Sequence, residues 1–302
     1  MTGGTLSGSV LTRSAAFRSD SSIHWTLVGQ STIAGLTIDA AVGVASGGRF
    51  TLGGGAALVG SVSGATGTLT INAGSSFVST QTPPTGSVFR AGDLSGSTGT
   101  VVVQGTGAVL DLGGSGGNIG SSGTGIFNVL AGGVARFGTS DPKALSAFNS
   151  ARNGGTANIT VDGAGSLLTA ARSITFGQKG SASVTINNGG TIAQTGTDAG
   201  DYVVIGQGGY TGNDIYGGST TVNVGAGATL SSTSGVMYVG QNFGGNGRLL
   251  IAAGGTVRST AAANINSYTF AIAQTRVCPH CAGHGGSDSE YGGGASWPGS
   301  FG

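Results

Sequence analysis

Two stretches of this chain carry residue types that could do chemistry. In the first, Cys278-Pro-His280-Cys281-Ala-Gly-His284-Gly brings both cysteines of the chain beside two of its three histidines. Thiolate and imidazole side chains at this spacing can share a tetrahedral zinc ion. Haem attachment is excluded, because Ala282 stands where that motif needs histidine. A single knuckle supplies half of a usual ligand set, so His280 and His284 would have to complete it. The plainer reading is a tail without a metal role. In the second stretch, Asp198, Asp201, Tyr202, Tyr210, Asp214 and Tyr216 crowd between Ile192 and Val222. Carboxylates among tyrosine faces suit sugars or Ca²⁺ when a rigid scaffold projects them on a loop. The competing reading is a solvated insertion whose tyrosines cover an edge.

Other catalytic patterns fail on inspection. Gly113-Gly-Ser115-Gly-Gly117 has the form of a nucleophile elbow, but it lies in a low-complexity turn. Its general base is missing, since His24 is the sole histidine before the tail and reads as an ordinary strand residue. Neither lysine, Lys143 or Lys179, sits in a phosphate-binding loop, and the Gly-rich Ca²⁺ nonapeptide is absent. The sequence therefore predicts no enzyme, no cofactor and no catalytic residue.

Whatever positions these residues must be built from an unusual composition. Gly accounts for 64 of 302 residues, roughly three times its usual ~7% share. Charged residues are only 8% and the formal net charge is +1, so no basic field exists to hold nucleic acid. With 38% apolar residues there is material for a core, which argues against charge-driven disorder. Pro is too scarce, at 5 residues, for collagen. No apolar run reaches the ~18 residues of a membrane-spanning helix.

Small residues in excess suggest the corners of a repeat. With Ile38, Ile71, Val103, Val129, Val161, Ile186, Val224 and Ile251 as anchors, the interval runs from 25 to 38 residues. Two residues before each anchor stand Leu36, Leu69, Val101, Phe127, Ile159, Val184, Val222 and Leu249. Six after stand Val44, Phe77, Val109, Ala135, Leu167, Ile192, Leu230 and Val257. Every one of these is apolar. Between the first two columns the residues are mostly Thr or Asn, the alternation of a strand with one buried face. Three after the anchor only Gly, Ala or Thr occurs, as a turn requires. A closing column follows: Val28-Gly29, Val59-Gly60, Ala91-Gly92, Ile119-Gly120, Phe148-Asn149, Phe176-Gly177, Ile205-Gly206 and Val239-Gly240. Asn149 reads as the one non-Gly residue there, in the left-handed region that Asn tolerates. Gln follows at Gln30, Gln178, Gln207 and Gln241.

Short strands separated by tight corners, with no room for crossover helices, predict an all-β parallel β-solenoid of about eight degenerate repeats of ~30 residues. Low charge then has a cause. In-register turns ~4.8 Å apart would stack like charges, whereas Thr and Asn ladders are tolerated. Spacing alone leaves open whether each unit makes one turn or two.

The runs Gly-Thr-Leu-Thr-Ile-Asn-Ala-Gly (67–74), Ala-Ser-Val-Thr-Ile-Asn-Asn-Gly-Gly-Thr-Ile (182–192) and Tyr-Val-Gly-Gln (238–241) followed by Gly-Arg-Leu-Leu-Ile-Ala-Ala-Gly-Gly-Thr-Val-Arg-Ser (247–259) resemble the repeats of bacterial autotransporter passenger domains. The closest likeness is to the repeat shared by type V secretion passengers and sorting-tagged surface proteins, over about residues 25–274. The resemblance implies a right-handed, single-stranded β-helix on the cell surface or secreted. It implies a role in adhesion, autoaggregation or biofilm, or as a stalk, with host or bacterial glycans, proteins or further copies as partners. An export signal and an outer-membrane translocator are then expected outside this chain. Separately, the C-x-x-C-x-G-x-G form of the tail resembles one repeat of the J-domain co-chaperone zinc region.

Three segments are expected: residues 1–24 as an incomplete cap, 25–274 as the solenoid, and 275–302 as a Gly-rich tail, disordered or out of frame. Phe270-Ala-Ile-Ala-Gln274 falls where the next closing column is due, with Ala273 in the Gly place, and the pattern stops at Thr275. A frame change or artificial boundary near Gln274 is therefore expected. The alternative function is a carbohydrate-active β-helix, such as a polysaccharide lyase or phage tailspike, using Asp198, Asp201 and Arg172. One Glu and two Lys in the whole chain leave it few catalytic groups.

Overall fold

The computed structural model describes residues 4–7, 10–11, 15–18, 24–80, 87–138, 147–198, 201–208, 218–233, 236–241 and 245–259. Among these the chain is all β. Its strands form three parallel sheets of ten, ten and nine strands, and each strand pairs with the one three places on in sequence. One turn thus visits sheet 1, sheet 2 and sheet 3 in order. In a central turn these are Thr98–Gln104, Val109–Asp111 and Gly116–Ile119, followed in the next by Thr124–Leu130, Val134–Phe137 and Phe148–Ser150. The molecule is a β-solenoid.

Register settles how many turns each repeat makes. Leu69, Val101, Phe127, Ile159, Val184, Val222 and Leu249 lie side by side in sheet 1, on seven successive turns. Each repeat unit is one turn. Ten strands at ~4.8 Å give sheet 1 a length of roughly 43 Å.

Alternation fills the interior. Thr98–Gln104 and Thr124–Leu130 bury every second residue, so that Val101, Val103, Phe127 and Val129 are fully enclosed while Thr100 and Asn128 face outward. Rings fill the interior within and between turns: Phe148 meets Phe137 edge-on at 4.9 Å and Phe127 at 6.0 Å in its own turn, and Phe176 of the next turn at 6.1 Å. Gly117, beside Phe148 in sheet 3, makes room for them, since a Cβ there would come 2.5 Å from the Phe137 ring.

The structure corrects the repeat alignment in four places. Ile38, Leu36 and Thr37 belong to sheet 3, in Leu36–Asp39, and the sheet 1 positions beside Leu69 and Ile71 are Val42 and Val44, which open the next turn. The column six residues on from Val44 is then Phe50, stacked on Phe77 at 5.2 Å. Val28-Gly29 closes a sheet 1 strand, His24–Val28, rather than a sheet 3 strand. His24 opens that strand, as the strand reading requires.

Val109 and Leu167 are half-exposed, and Leu110 and Leu168 take the core positions. The cause lies in the preceding corners. Most have one Gly three after the anchor at positive φ, such as Gly74 at 69° and Gly227 at 71°. In these two turns a pair of glycines, Gly105 with Gly107 and Gly163 with Gly165, flanks Thr106 or Ala164, and the corner holds one more residue. One extra residue moves every later side chain to the other face.

Finally, Asn149 does not occupy the left-handed corner. Ile119 pairs with Ser150, which puts Ala151 in the place of Gly120, at φ 48°. Asn149 is instead an extended strand residue beside Asn118. Among the described residues the first paired strands are Gly4–Ser7 with His24–Val28, Val10–Leu11 with Gln30–Ile33, and Ala15–Arg18 with Leu36–Asp39.

Candidate functional site

The long unit between Ile192 and Val222 contains the most chemically loaded group among the described residues. Arg172 stands in the corner between Leu167–Ala170 and Ile174–Gln178. One turn later, the connection from Thr191–Gln194 to Tyr202–Gln207 carries Asp198 and Asp201. Stacking the two turns puts the three side chains together. Arg172 Nη1 donates to Asp198 Oδ2, and Arg172 Nε lies 3.3 Å from Asp201 Oδ1.

This arrangement holds a loop closed. Asp201 N donates to the Asp198 carbonyl at 3.0 Å, and Asp198 N donates to Asp201 Oδ2 at 3.3 Å. Gln194, fully buried, donates to the Gly196 carbonyl at 3.2 Å and accepts from Ser232 Oγ at 2.8 Å, which ties the loop to the following turn. Gly196 is required by the close fit: a Cβ there would collide with the Ala171 carbonyl and the Asp201 carboxylate. Burial pushes the Asp201 carboxyl above the ordinary carboxylate range, against the pull of the Arg172 guanidinium. Its side chain is 2% exposed, while that of Asp198 is 58% exposed. Only Asp198 therefore presents a carboxylate to solvent, and it is already paired.

Tyr202 enters its strand with its N–H bonded to Ser173 Oγ at 3.1 Å, and its ring meets Tyr238 edge-on at 6.2 Å. Tyr238 was not singled out in the sequence. The signal was available in the closing columns, where Val204 aligns with Tyr238 on adjacent turns. The other predicted members, Tyr210, Asp214 and Tyr216, lie outside the described residues, as do Cys278, His280, Cys281 and His284.

Among the described residues no group of three or more His, Cys, Asp or Glu could hold a metal ion. Ser115 is 1% exposed beneath its glycines, unlike an accessible nucleophile. A shallow open hollow where sheet 1 meets sheet 2 is lined by Ser46, Asn72, Ala73, Gln104, Gly105 and Ala131. Its two amide side chains are engaged, with Gln104 Nε2 donating to Asn72 Oδ1 at 3.0 Å and Asn72 Nδ2 to the Val44 carbonyl at 3.0 Å. Further charges pair locally, Arg90 with Asp93 at 3.2 Å and Arg136 with Asp111 at 3.6 Å. No helix is long and apolar enough to cross a membrane among the described residues. No family, curated protein or solved structure matches the chain.

Proposed function

We propose that this chain is a non-enzymatic passenger-type β-solenoid that works at the bacterial surface or after secretion, through adhesion, autoaggregation or the spacing of another domain. The observation that carries the reading is the polar, in-register outer face of sheet 1. Thr66, Thr98, Thr124, Thr156, Ser181, Ser219 and Asn246 form one column along it, and Thr68, Thr100, Ile126, Asn158, Ser183 and Thr221 another. Such columns offer many weak, repeated contacts along roughly 29 Å, and avidity rather than a single pocket supplies attachment. The state of the acidic residues supports the same side. Asp201 is enclosed and Asp198 is paired, so the cluster with Arg172 does the work of a loop clasp.

The carbohydrate-active alternative draws on that same trio and is separable by experiment. Deleting the coding region in the producing bacterium should lower attachment and aggregation or the display of a linked domain; unchanged values for all three would overturn the proposal. Incubating the protein with acidic polysaccharides should leave their chain length unchanged, whereas shortening would favour the alternative.

A further inference from the structure

Sheet 2 presents an outer face unlike that of sheet 1. Its first outward column runs Ser76, Val109, Val134, Leu167 and Thr191 on five successive turns, and its second runs Val78, Asp111, Arg136, Thr169 and Ala193. The middle of the first column is therefore apolar, and Val109, Val134 and Leu167 are all half-exposed. The longer corners at Gly105–Gly107 and Gly163–Gly165 put Val109 and Leu167 there, with Leu110 and Leu168 in the core instead. Such a strip leaves apolar area in water that a second surface can cover.

Beside the strip stands an ion pair. Asp111 Oδ2 lies 3.6 Å from Arg136 Nη1, beyond hydrogen-bond length, and the two side chains are 31% and 43% exposed. Asp111 Oδ1 accepts from the Gly113 N–H at 2.9 Å, which ties its carboxylate to the corner. The Arg136 guanidinium, with its fork of N–H donors, has the capacity to meet a further carboxylate.

We propose that this face docks a second copy of the chain, turned end for end. A two-fold axis between the faces, parallel to the strands and passing between Val109–Asp111 and Val134–Phe137, sets Val109 over the partner's Val134 and Asp111 over the partner's Arg136. Symmetry repeats both contacts. Val78 and Leu167 extend the apolar strip by one turn on either side.

Charge selects this register. An axis on the Val109–Asp111 strand would oppose Asp111 to its own copy, and one on the Val134–Phe137 strand would oppose Arg136 to its own copy. A second chain running in the same direction would set each charge over a valine, and a charge covered without a partner is costly. The antiparallel register between the two strands opposes unlike charges and matches valine with valine.

Size sets the strength. About three residues wide and ten strands long, the face covers roughly 10 Å by 43 Å, near half of the ~800 Å² per partner of a standard interface. The pairing is therefore weak and concentration-dependent, and it strengthens where many copies stand together. It gives the autoaggregation in the function proposed above a contact surface, and rests on that reading for its setting alone.

Sedimentation of the purified full chain between about 10 μM and 1 mM tests it, with Cys278→Ser and Cys281→Ser to prevent disulfides. This parent protein should show a reversible monomer–dimer equilibrium, and Val134→Lys should weaken it at least ~10-fold by covering an unpaired ammonium. Asp111→Arg alone opposes arginines and Arg136→Asp alone opposes aspartates, so neither should pair with itself. An equimolar mixture of these two variants should pair about as tightly as the parent, because each copy then meets the opposite charge, and that recovery also shows that both fold. A parent that stays monomeric at about 1 mM, single variants that pair as the parent does, or a mixture that does not recover would overturn the proposal. Aggregation of the bacterium that falls on deletion, while the purified chain stays monomeric, would overturn this contact and leave the surface reading standing.

Discussion

Replacing Phe148 by Ala removes the ring that joins two others of its own turn, Phe127 and Phe137, to Phe176 of the next. Its side chain is fully enclosed, and it touches Phe137, Phe127 and Phe176 with ring centroids 4.9, 6.0 and 6.1 Å away. Loss of a buried Phe costs about 3–5 kcal/mol where the site cannot collapse. Collapse is restrained here because the surrounding backbone belongs to sheet ladders on either side, and Gly117 offers no side chain to fill the space. Edge-on ring pairs add ~0.5–1.5 kcal/mol beyond area, so the upper part of that range, about 4–5 kcal/mol, is expected. In a stack where each turn contacts only its neighbours, the defect should also divide the cooperative unit. Urea unfolding followed by circular dichroism should show the lost stability and a broader or two-step transition. Hydrogen exchange should quicken first around Phe148–Ser150 and Ile174–Gln178. The conservative Phe148→Leu change should cost less than about 1.5 kcal/mol. A loss under ~1.5 kcal/mol for Phe148→Ala, with a single sharp transition, would refute the claim that this ring cluster holds its turn together and against the next.

Three further outcomes follow from the geometry. Ala151→Gly relieves a left-handed alanine and should be neutral or stabilising by up to ~1 kcal/mol, whereas Asn149→Gly places Gly in a strand and should destabilise by about 1 kcal/mol or more; urea midpoints showing the reverse order would restore the sequence alignment. Gly206→Ala, at φ 77° with its new Cβ against the Asn246 carbonyl, should cost more than ~2 kcal/mol, while Gly47→Ala, at φ 75° with open space around it, should cost only about 1; equal shifts in thermal midpoint would contradict the close approach. Because the folded Asp201 carboxyl titrates above its unfolded value, the unfolded chain holds fewer protons in that interval, and this residue's contribution to stability falls as pH rises from the ordinary Asp range. Asp201→Asn should remove that part of the pH slope in urea titrations, and an unchanged slope would deny the burial of this group.

Much of the architecture is legible in the residues themselves. Alternating columns such as Val101, Val103, Phe127 and Val129 report a one-faced strand whatever its neighbours do, and the structure encloses all four. Corner chemistry is where the pattern misleads. Asn149 resembles a corner residue by type, yet the corner is Ala151, held at positive φ by pairing on both sides, which no single-residue preference reveals. Likewise the sequence lists Gly105, Thr106 and Gly107 without saying that they lengthen a corner and shift Val109 outward. The Asp198 and Asp201 pair was visible as a crowding of carboxylates. Its role was not, because Arg172 arrives from the preceding turn, 26 residues earlier than Asp198, and only stacking brings the charges together.

The account rests on one turn per repeat with sheet 1 in register. Spin labels at Thr68→Cys and Thr221→Cys, with Cys278 and Cys281 replaced by Ser, probe it directly, since these positions share an outward column five turns apart. One turn per repeat predicts a backbone separation of about 24 Å by pulsed electron resonance, whereas two turns per repeat would give ~48 Å. A narrow distribution near the shorter distance is the expected result, and a peak near the longer one would contradict the account.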